Sequence, residues 1–328
     1  MNSKILSISI AAYNVSECLD NAMASLIEDE ALLQEIEIII VNDGSKDQTS
    51  QIAHNYESQY PDSVVVIDKE NGGYGSTINS SLAVAKGKYY KLLDGDDWFS
   101  SENLRGFIEF IRNASADLIV TPYYKVKNEG TILVDDHQEI QNEACDLSSS
   151  SLQNNTFLMH EIAVKTDVLK ALNQPIAEKC FYTDLEFVFY AVACSNSVAR
   201  YDFPIYCYRL GVEGQSVSLT GIRKHYKDYS VVARRLFSFY EHETETIKGS
   251  KKAILDKAAC DYTYHTYHAY TVLENPKDMK KELVAFDKEI QQSYPSVYAL
   301  GYNSKLVRYL RKSRFILYPL FCKISQNK

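Results

Sequence analysis

The sequence predicts an α/β fold built on a mostly parallel sheet with helices on both faces. Three observations predict it. Apolar runs alternate with segments of helical spacing, the connections between them are short, and three of the runs end in polar or acidic groups. Residues 5–12 (ILSISIAA) form the first strand, and Tyr13-Asn14 follow at its carboxyl end. Leu19, Ala22, Met23 and Leu26 are spaced as the apolar stripe of a helix. Residues 37–42 (EIIIVN) make a second buried strand, closed by Asp43-Gly44-Ser45. A helix carrying Ile52, Ala53 and Tyr56 stops before Pro61, and residues 64–67 give a third strand. Asn71-Gly72-Gly73-Tyr74-Gly75 is a glycine-rich turn into a helix with Ile78, Leu82 and Ala85, which Gly87 ends. Residues 89–93 are the fourth strand and run into Asp94-Gly95-Asp96-Asp97. Leu104, Phe107, Ile108 and Ile111 mark another helix, and residues 117–120 another strand.

At 328 residues the chain fits one large domain or one with an appendage. Hydrophobic residues at 45% and charged residues at 24% allow a sizeable core and argue against disorder. A net charge of -8 argues against nucleic acid as a partner. The seven cysteines, at 18, 145, 180, 194, 207, 260 and 322, include no CxxC pair. They read as reduced thiols of a cytoplasmic protein rather than a disulfide frame or zinc site. Residues 1–4 lead directly into the first strand, which predicts no signal peptide, and no apolar run approaches the length of a membrane span.

Acids crowded at a strand end repel one another unless a cation sits among them, and a hard divalent ion is the usual partner. In an open α/β sheet the ligand lies outside the carboxyl ends of the strands. Tyr13-Asn14, Asp43-Gly44-Ser45 and Asp94-Gly95-Asp96 are therefore expected to converge on a nucleotide pocket. The ring of Tyr13 can stack on a base, and the carboxylate of Asp43 can accept a ring N–H of the kind uracil offers. A metal at 94–96 would then hold a diphosphate.

The blocks SIAAYN (9–14), VNDGSKD (41–47), NGG (71–73), KGKY (86–89) and LDGDD (93–97), in this order and at this spacing, resemble those of the family 2 glycosyltransferases with the GT-A fold. The resemblance is strong over residues 5 to 100 and extends weakly to 220. It implies a UDP-sugar donor, an Mg2+ or Mn2+ ion, a saccharide acceptor and inversion at the anomeric carbon. By the same resemblance Asp43 binds the base, with Ala12 and Tyr13 lining its site, Asp94 lies near the ribose and sugar, and Asp96 is the metal ligand. Gly73, Asn79 and Gly95 complete the expected donor contacts on these blocks. Asp97 is read either as a helix cap or as support for the metal site. Many relatives have arginine where this chain has Ile78, so Arg209 and Arg223 are candidates for a replacement diphosphate contact.

An acceptor hydroxyl must lose a proton as it attacks, so a base is required. Tyr182-Thr183-Asp184-Leu185-Glu186 resembles the family's base-bearing helix start, with Thr183 where many relatives have Glu. Asp184 is the expected base and Glu186 the alternate. Residues 125–155 read as an insertion on the acceptor side, followed by Met159-His160-Glu161 as acceptor-contacting residues. Residues 206–209 read as a strand, and the loop after it places Gln215 over the donor.

The catalytic domain is thus expected at 1–220 and a helical region at 221–302, with helices near 226–241, 253–273 and 279–292. Tyr262, Tyr264, His265, Tyr267, His268 and Tyr270 form an aromatic patch suited to core packing or a homo-oligomer interface. Residues 303–328 carry seven basic residues, no acid and interleaved apolar groups. They read as a basic amphipathic tail, either anchored on anionic lipid or packed on the acidic protein. The anchor would hold the protein on the inner face of the cell membrane, near a lipid-linked acceptor for surface polysaccharide. A weakly active or inactive nucleotide-binding partner subunit of the same fold is the alternative that Ile78 and Thr183 leave open.

Overall fold

The computed structural model describes residues 4–172, 174–211, 218–273 and 276–326. The chain divides into two compact units, one of Met1–Lys179 with Thr183–Val212, the other of Cys180–Tyr182 with Glu213–Lys328.

The first unit holds strands β1 (Leu6–Ala12), β2 (Ile36–Asn42), β3 (Val64–Asp68), β4 (Tyr89–Asp94), β5 (Trp98–Phe99), β6 (Leu118–Val120), β7 (Tyr123–Lys127), β8 (Gly130–Val134), β9 (Cys145–Asp146), β10 (Ile162–Lys165), β11 (Ser197–Arg200) and β12 (Tyr206–Arg209). Its helices are α1 (Leu19–Ile27), α2 (Glu30–Leu33), α3 (Thr49–Gln59), α4 (Tyr74–Val84), α5 (Ser101–Asn113), α6 (Thr166–Ala171) and α7 (Thr183–Cys194). The main sheet runs in the order β3-β2-β1-β4-β10-β6-β11-β9. Strands β3, β2, β1 and β4 are parallel, as the alternation of apolar runs and helices predicts. All seven residues of β2 are buried, which suits a central strand covered on both faces. The stripes Leu19, Ala22, Met23, Leu26 on α1 and Leu104, Phe107, Ile108, Ile111 on α5 are buried, and the two helices touch each other.

Two features depart from the simple parallel pattern. β10 is antiparallel to both β4 and β6. A second sheet, β5-β12-β7-β8, is assembled from residues 98 to 209 and includes a β7–β8 hairpin inside the expected insertion. The register of the parallel strands pairs Ala12 with Asn42, Asn42 with Asp68, and Ala11 with Asp94. Their polar ends therefore form one row along the sheet's carboxyl edge.

The second unit is helical: α8 (Leu219–Lys224), α9 (Tyr226–Glu243), α10 (Gly249–Thr271), α11 (Pro276–Ser293), α12 (Pro295–Leu300), α13 (Lys305–Lys312) and α14 (Tyr318–Gln326). α10 is its centre, touching α9 and α11 to α14. Tyr262, Tyr267 and Tyr270 are buried in it, so half of the aromatic patch is core, while Tyr264 and His265 are exposed. Of the two readings of the tail, packing on the protein is the one that many of its apolar residues follow. Leu306, Val307 and Leu310 of α13, then Phe315, Tyr318 and Cys322, are buried, and both helices pack on α10. Arg311 is not part of a basic surface: its Nε donates to Asp287 Oδ1 at 2.7 Å, and its guanidinium lies 3.7 Å from the Tyr298 ring centre. Removing either partner would leave an uncompensated buried charge, a loss on the order of 3–5 kcal/mol.

Candidate active site

The site is built on the row of strand ends. After β1, Asn14 takes a left-handed backbone (φ 53), accepts Lys46 N–H on its amide oxygen at 2.8 Å and donates its own N–H to Ser45 Oγ at 3.0 Å. This zips the loop after β1 to the loop after β2 and leaves Tyr13 52% exposed, an open aromatic face beside Asp43. Ala12 is buried at the end of β1, and its carbonyl accepts Asp43 N–H at 2.9 Å.

Asp43 is 3% exposed and its carboxylate is already engaged. It accepts the N–H groups of Gly72 and Gly73 and the Lys69 ammonium, each at 2.8 Å. The glycine turn is thereby clamped to the end of β2. Gly73, with φ 80, is the residue before α4 and adopts a backbone that side chains disfavour. Lys69 had no local signal in the sequence, because its partner lies 26 residues away.

The acids after β4 form the second half of the site. Carboxylate oxygens of Asp94, Asp96 and Asp97 all lie within 4.8 Å of one another. Gly95 N–H donates to Ala11 O at 3.1 Å, which holds the turn against β1. Asp97 is 1% exposed; Tyr206 Oη donates to its Oδ2 and the Arg209 backbone N–H to its Oδ1, both at 2.7 Å. Its reading as a helix cap is corrected: the residue before α5 is Ser100, and Asp97 joins the acid turn to β12. Tyr206 Oη also accepts the Asp94 N–H at 3.1 Å. Burial pushes the carboxyl groups of Asp94 and Asp97 well above the usual range, and the neighbouring carboxylates push them further.

Asp94 Oδ1 is buried without a hydrogen-bond partner, and the bonds to Asp97 come from neutral groups. Such a set of hard, crowded oxygens fits a Mg2+ or Mn2+ ion with Asp94 and Asp96 facing it.

Asp184, in the first turn of α7, is close enough to Asp94 for their charges to interact, and both face Tyr74 at the start of α4. Burial raises the Asp184 carboxyl, against the backbone N–H of Leu185, which lowers it. Glu186 is fully buried; its Oε2 accepts Ala177 N–H and its Oε1 accepts the Tyr190 hydroxyl, both at 2.9 Å. The alternate base is therefore corrected, since this carboxylate points away from the acids. Asn79 is corrected likewise: its amide bonds the backbone of Ile176 in both directions and Glu178 Oε1.

His160 is stacked on Tyr123 and lies 4.2 Å from the Tyr208 ring centre, with its Nδ1 buried and unpartnered. Burial, helped by Lys91 and Lys125, pulls its pKa down to about 3, so the ring is neutral. Lys91 lies in mid-strand, fully buried, with Nζ on the carbonyls of His160 and Ile162; burial pulls its pKa down to about 7. A lysine inside the apolar run YYKLLD was the visible signal for this contact. Arg209 lays its guanidinium 5.3 Å from the Trp98 ring centre, beside the acid turn. Arg223 belongs to the second unit, where its Nε donates to Val272 O. Gln215 lies outside the described residues.

Residues 7–181 match the protein family described as Glycosyl transferase family 2. The chain belongs to that family. The fold of this family 2 glycosyltransferase chain is GT-A with a helical C-terminal region. Over 121 residues it is 34% identical to the minor teichoic acid biosynthesis protein GgaB of Bacillus subtilis, covering 36% of this chain and 13% of that protein. It is 33% identical over 131 residues to a poly(ribitol-phosphate) beta-glucosyltransferase of Bacillus spizizenii, covering 38% and 20%. The family 2 chain thus spans well under half the length of these curated relatives. Among solved structures, Staphylococcus aureus TarS residues 1–349 in complex with UDP superposes with a TM-score of 0.71 at 18% identity, over 99% of this chain and 92% of that one. The mannosyltransferase PcManGT of Pyrobaculum calidifontis, in complex with GDP-Man and Mn2+, superposes with a TM-score of 0.57 at 13% identity, over 99% and 87%. At these identities the likeness is one of fold.

Proposed function

We propose that the chain is an inverting glycosyltransferase that moves a hexose or N-acetylhexosamine from a UDP-sugar to a saccharide acceptor, lipid-linked, in surface polysaccharide synthesis. The observation that carries this reading is the meeting of Asp184 with the Asp94–Asp96 acids at the sheet's carboxyl edge. The names of GgaB and the poly(ribitol-phosphate) glucosyltransferase, and the UDP bound by TarS, support the polymer and the donor.

In this reading Tyr13 stacks on uracil, and the Asp43-clamped turn borders the base. Asp96 would hold the divalent ion, which when bound supplies positive charge for the departing diphosphate, and Asp94 faces the donor beside it. Asp184 accepts the proton of the acceptor hydroxyl as it attacks C1, and its raised pKa makes it a better base than an ordinary carboxylate. Inversion follows from a single displacement. A panel of UDP-sugars with Mn2+, assayed for UDP release, tests the reading: at least one donor is expected to turn over. UDP binding with no release from any donor would favour the inactive partner subunit instead.

The membrane reading now rests on fewer residues. Leu320 and Ile324 of α14 and Ile316 in the turn before it are exposed, as are Tyr309, Lys305, Lys312, Arg314 and Lys323 of the same tail. Among the described residues no helix is long and apolar enough to cross a membrane. These exposed residues contact the surface of anionic lipid in our reading. Deleting residues 303–328 would uncover α10 and is no clean test. Ile316→Glu with Leu320→Glu leaves the buried face intact and is expected to reduce sedimentation with phosphatidylglycerol vesicles about 10-fold. Unchanged sedimentation with normal UDP binding would remove the lipid contact.

A further inference from the structure

Glu186 is a fully buried carboxylate, bonded on both oxygens, on the helix that carries the candidate base. Two residues apart on an α-helix lie about 200° around its axis, so Asp184 and Glu186 face opposite sides. Behind the helix runs segment 174–179, and Glu186 Oε2 holds it by Ala177 N–H at 2.9 Å. The same segment is fastened to the donor side at three points. Asn79 of α4 bonds Ile176 N–H and Ile176 O at 2.8 and 2.9 Å. Lys179 N–H donates to Gly72 O at 2.5 Å. Gly75, in the first turn of α4, lies so close that a Cβ there would sit 1.9 Å from Ala177 O.

Gly72 thus has its carbonyl tied to this segment while its N–H is tied to Asp43. We propose that Glu186 is a positioning residue: through Ala177 and Lys179 it couples the glycine turn on Asp43 to the helix that presents Asp184, so that nucleotide binding orders the base. This rests on the reading of Asp43 and its turn as the UDP-binding side. The tie is made of short, directional hydrogen bonds and a contact with no room for a methyl group. Ordering at one end therefore restricts the other.

Hydrogen exchange of the full chain with UDP and Mn2+ tests it. In the wild type, UDP is expected to slow exchange about 10-fold at peptides covering both 174–179 and 183–188. Glu186→Ala should keep the UDP Kd within about 3-fold and abolish the UDP-induced slowing at 183–188 only. Glu186→Gln, whose side-chain oxygen can still accept Ala177 N–H, should restore it. Asn79→Ala releases the same segment from α4 at Ile176 and should likewise lose the slowing at 183–188, which keeps the test decisive if Glu186→Ala does not fold. UDP-induced slowing at 183–188 that survives both alanine variants overturns the inference, as does its absence from a wild type that binds UDP. A Glu186→Ala defect that is equal with and without UDP marks a purely structural role and also overturns it. Failure of the wild type to bind UDP at all sinks the proposed function, and the coupling with it.

Discussion

Asp184→Asn is expected to reduce sugar transfer by about 10²–10⁴-fold while leaving the UDP Kd within about twofold. The substitution keeps the shape of the side chain and removes its capacity to take a proton. In the proposed reading the base and diphosphate are held by the ends of β1, β2 and β4, and Asp184 on α7 is none of these contacts, so binding has no reason to change. The helix is secured independently by Glu186 on its opposite face. Stopped assays of UDP release, with calorimetric titration of UDP, check both halves of the expectation. Normal turnover in the variant would remove Asp184 as the base.

Asp96→Ala is expected to lower transfer by about 10³-fold or more and, unlike Asp184→Asn, to abolish the Mn2+ dependence of UDP binding. Three carboxylates with oxygens within 4.8 Å repel one another, and burial together with that repulsion holds Asp94 and Asp97 protonated to higher pH than usual. The sign follows for stability. A carboxyl whose folded pKa is raised contributes stability at low pH that is lost as pH rises through the folded value. The wild type without metal should therefore lose Tm between weakly acidic and weakly alkaline pH, and Asp96→Ala, with one charge fewer, should lose less. Thermal melts in metal-free buffer across that range, and UDP titrations with and without Mn2+, provide the check. A variant that still binds UDP only when Mn2+ is present would place the ion elsewhere.

Much of this was legible in the chain itself, for a physical reason. β1, β2 and β4 are short apolar runs ending in polar groups, and both the run and the ending are local properties. Asp43, Asp94 and Asp96 stand at those endings and could be found there. What stayed hidden depends on pairing across long stretches of chain. Asp97 could be read as a local cap or as support for the acids, and its partners Tyr206 and Arg209, which decide against the cap, are more than a hundred residues away. Asn79 and Glu186 carried the right chemistry for donor and base, and their burial against 176–178 could not be read from spacing. Arg311 looked like one more surface cation until Asp287 came beside it.

The antiparallel strand β10 has one more consequence. Because it runs against β4, it enters the sheet at the edge where β4 leaves it, and the segment just ahead of Ile162 arrives beside Asp94's edge from the opposite direction. The acids and the Met159–Glu161 wall are thus carried on independent connections. Segment 128–158 carries β8 and β9, which pair with β7 and β11, so an exchange there must keep those two pairings but leaves the register of the four parallel strands untouched.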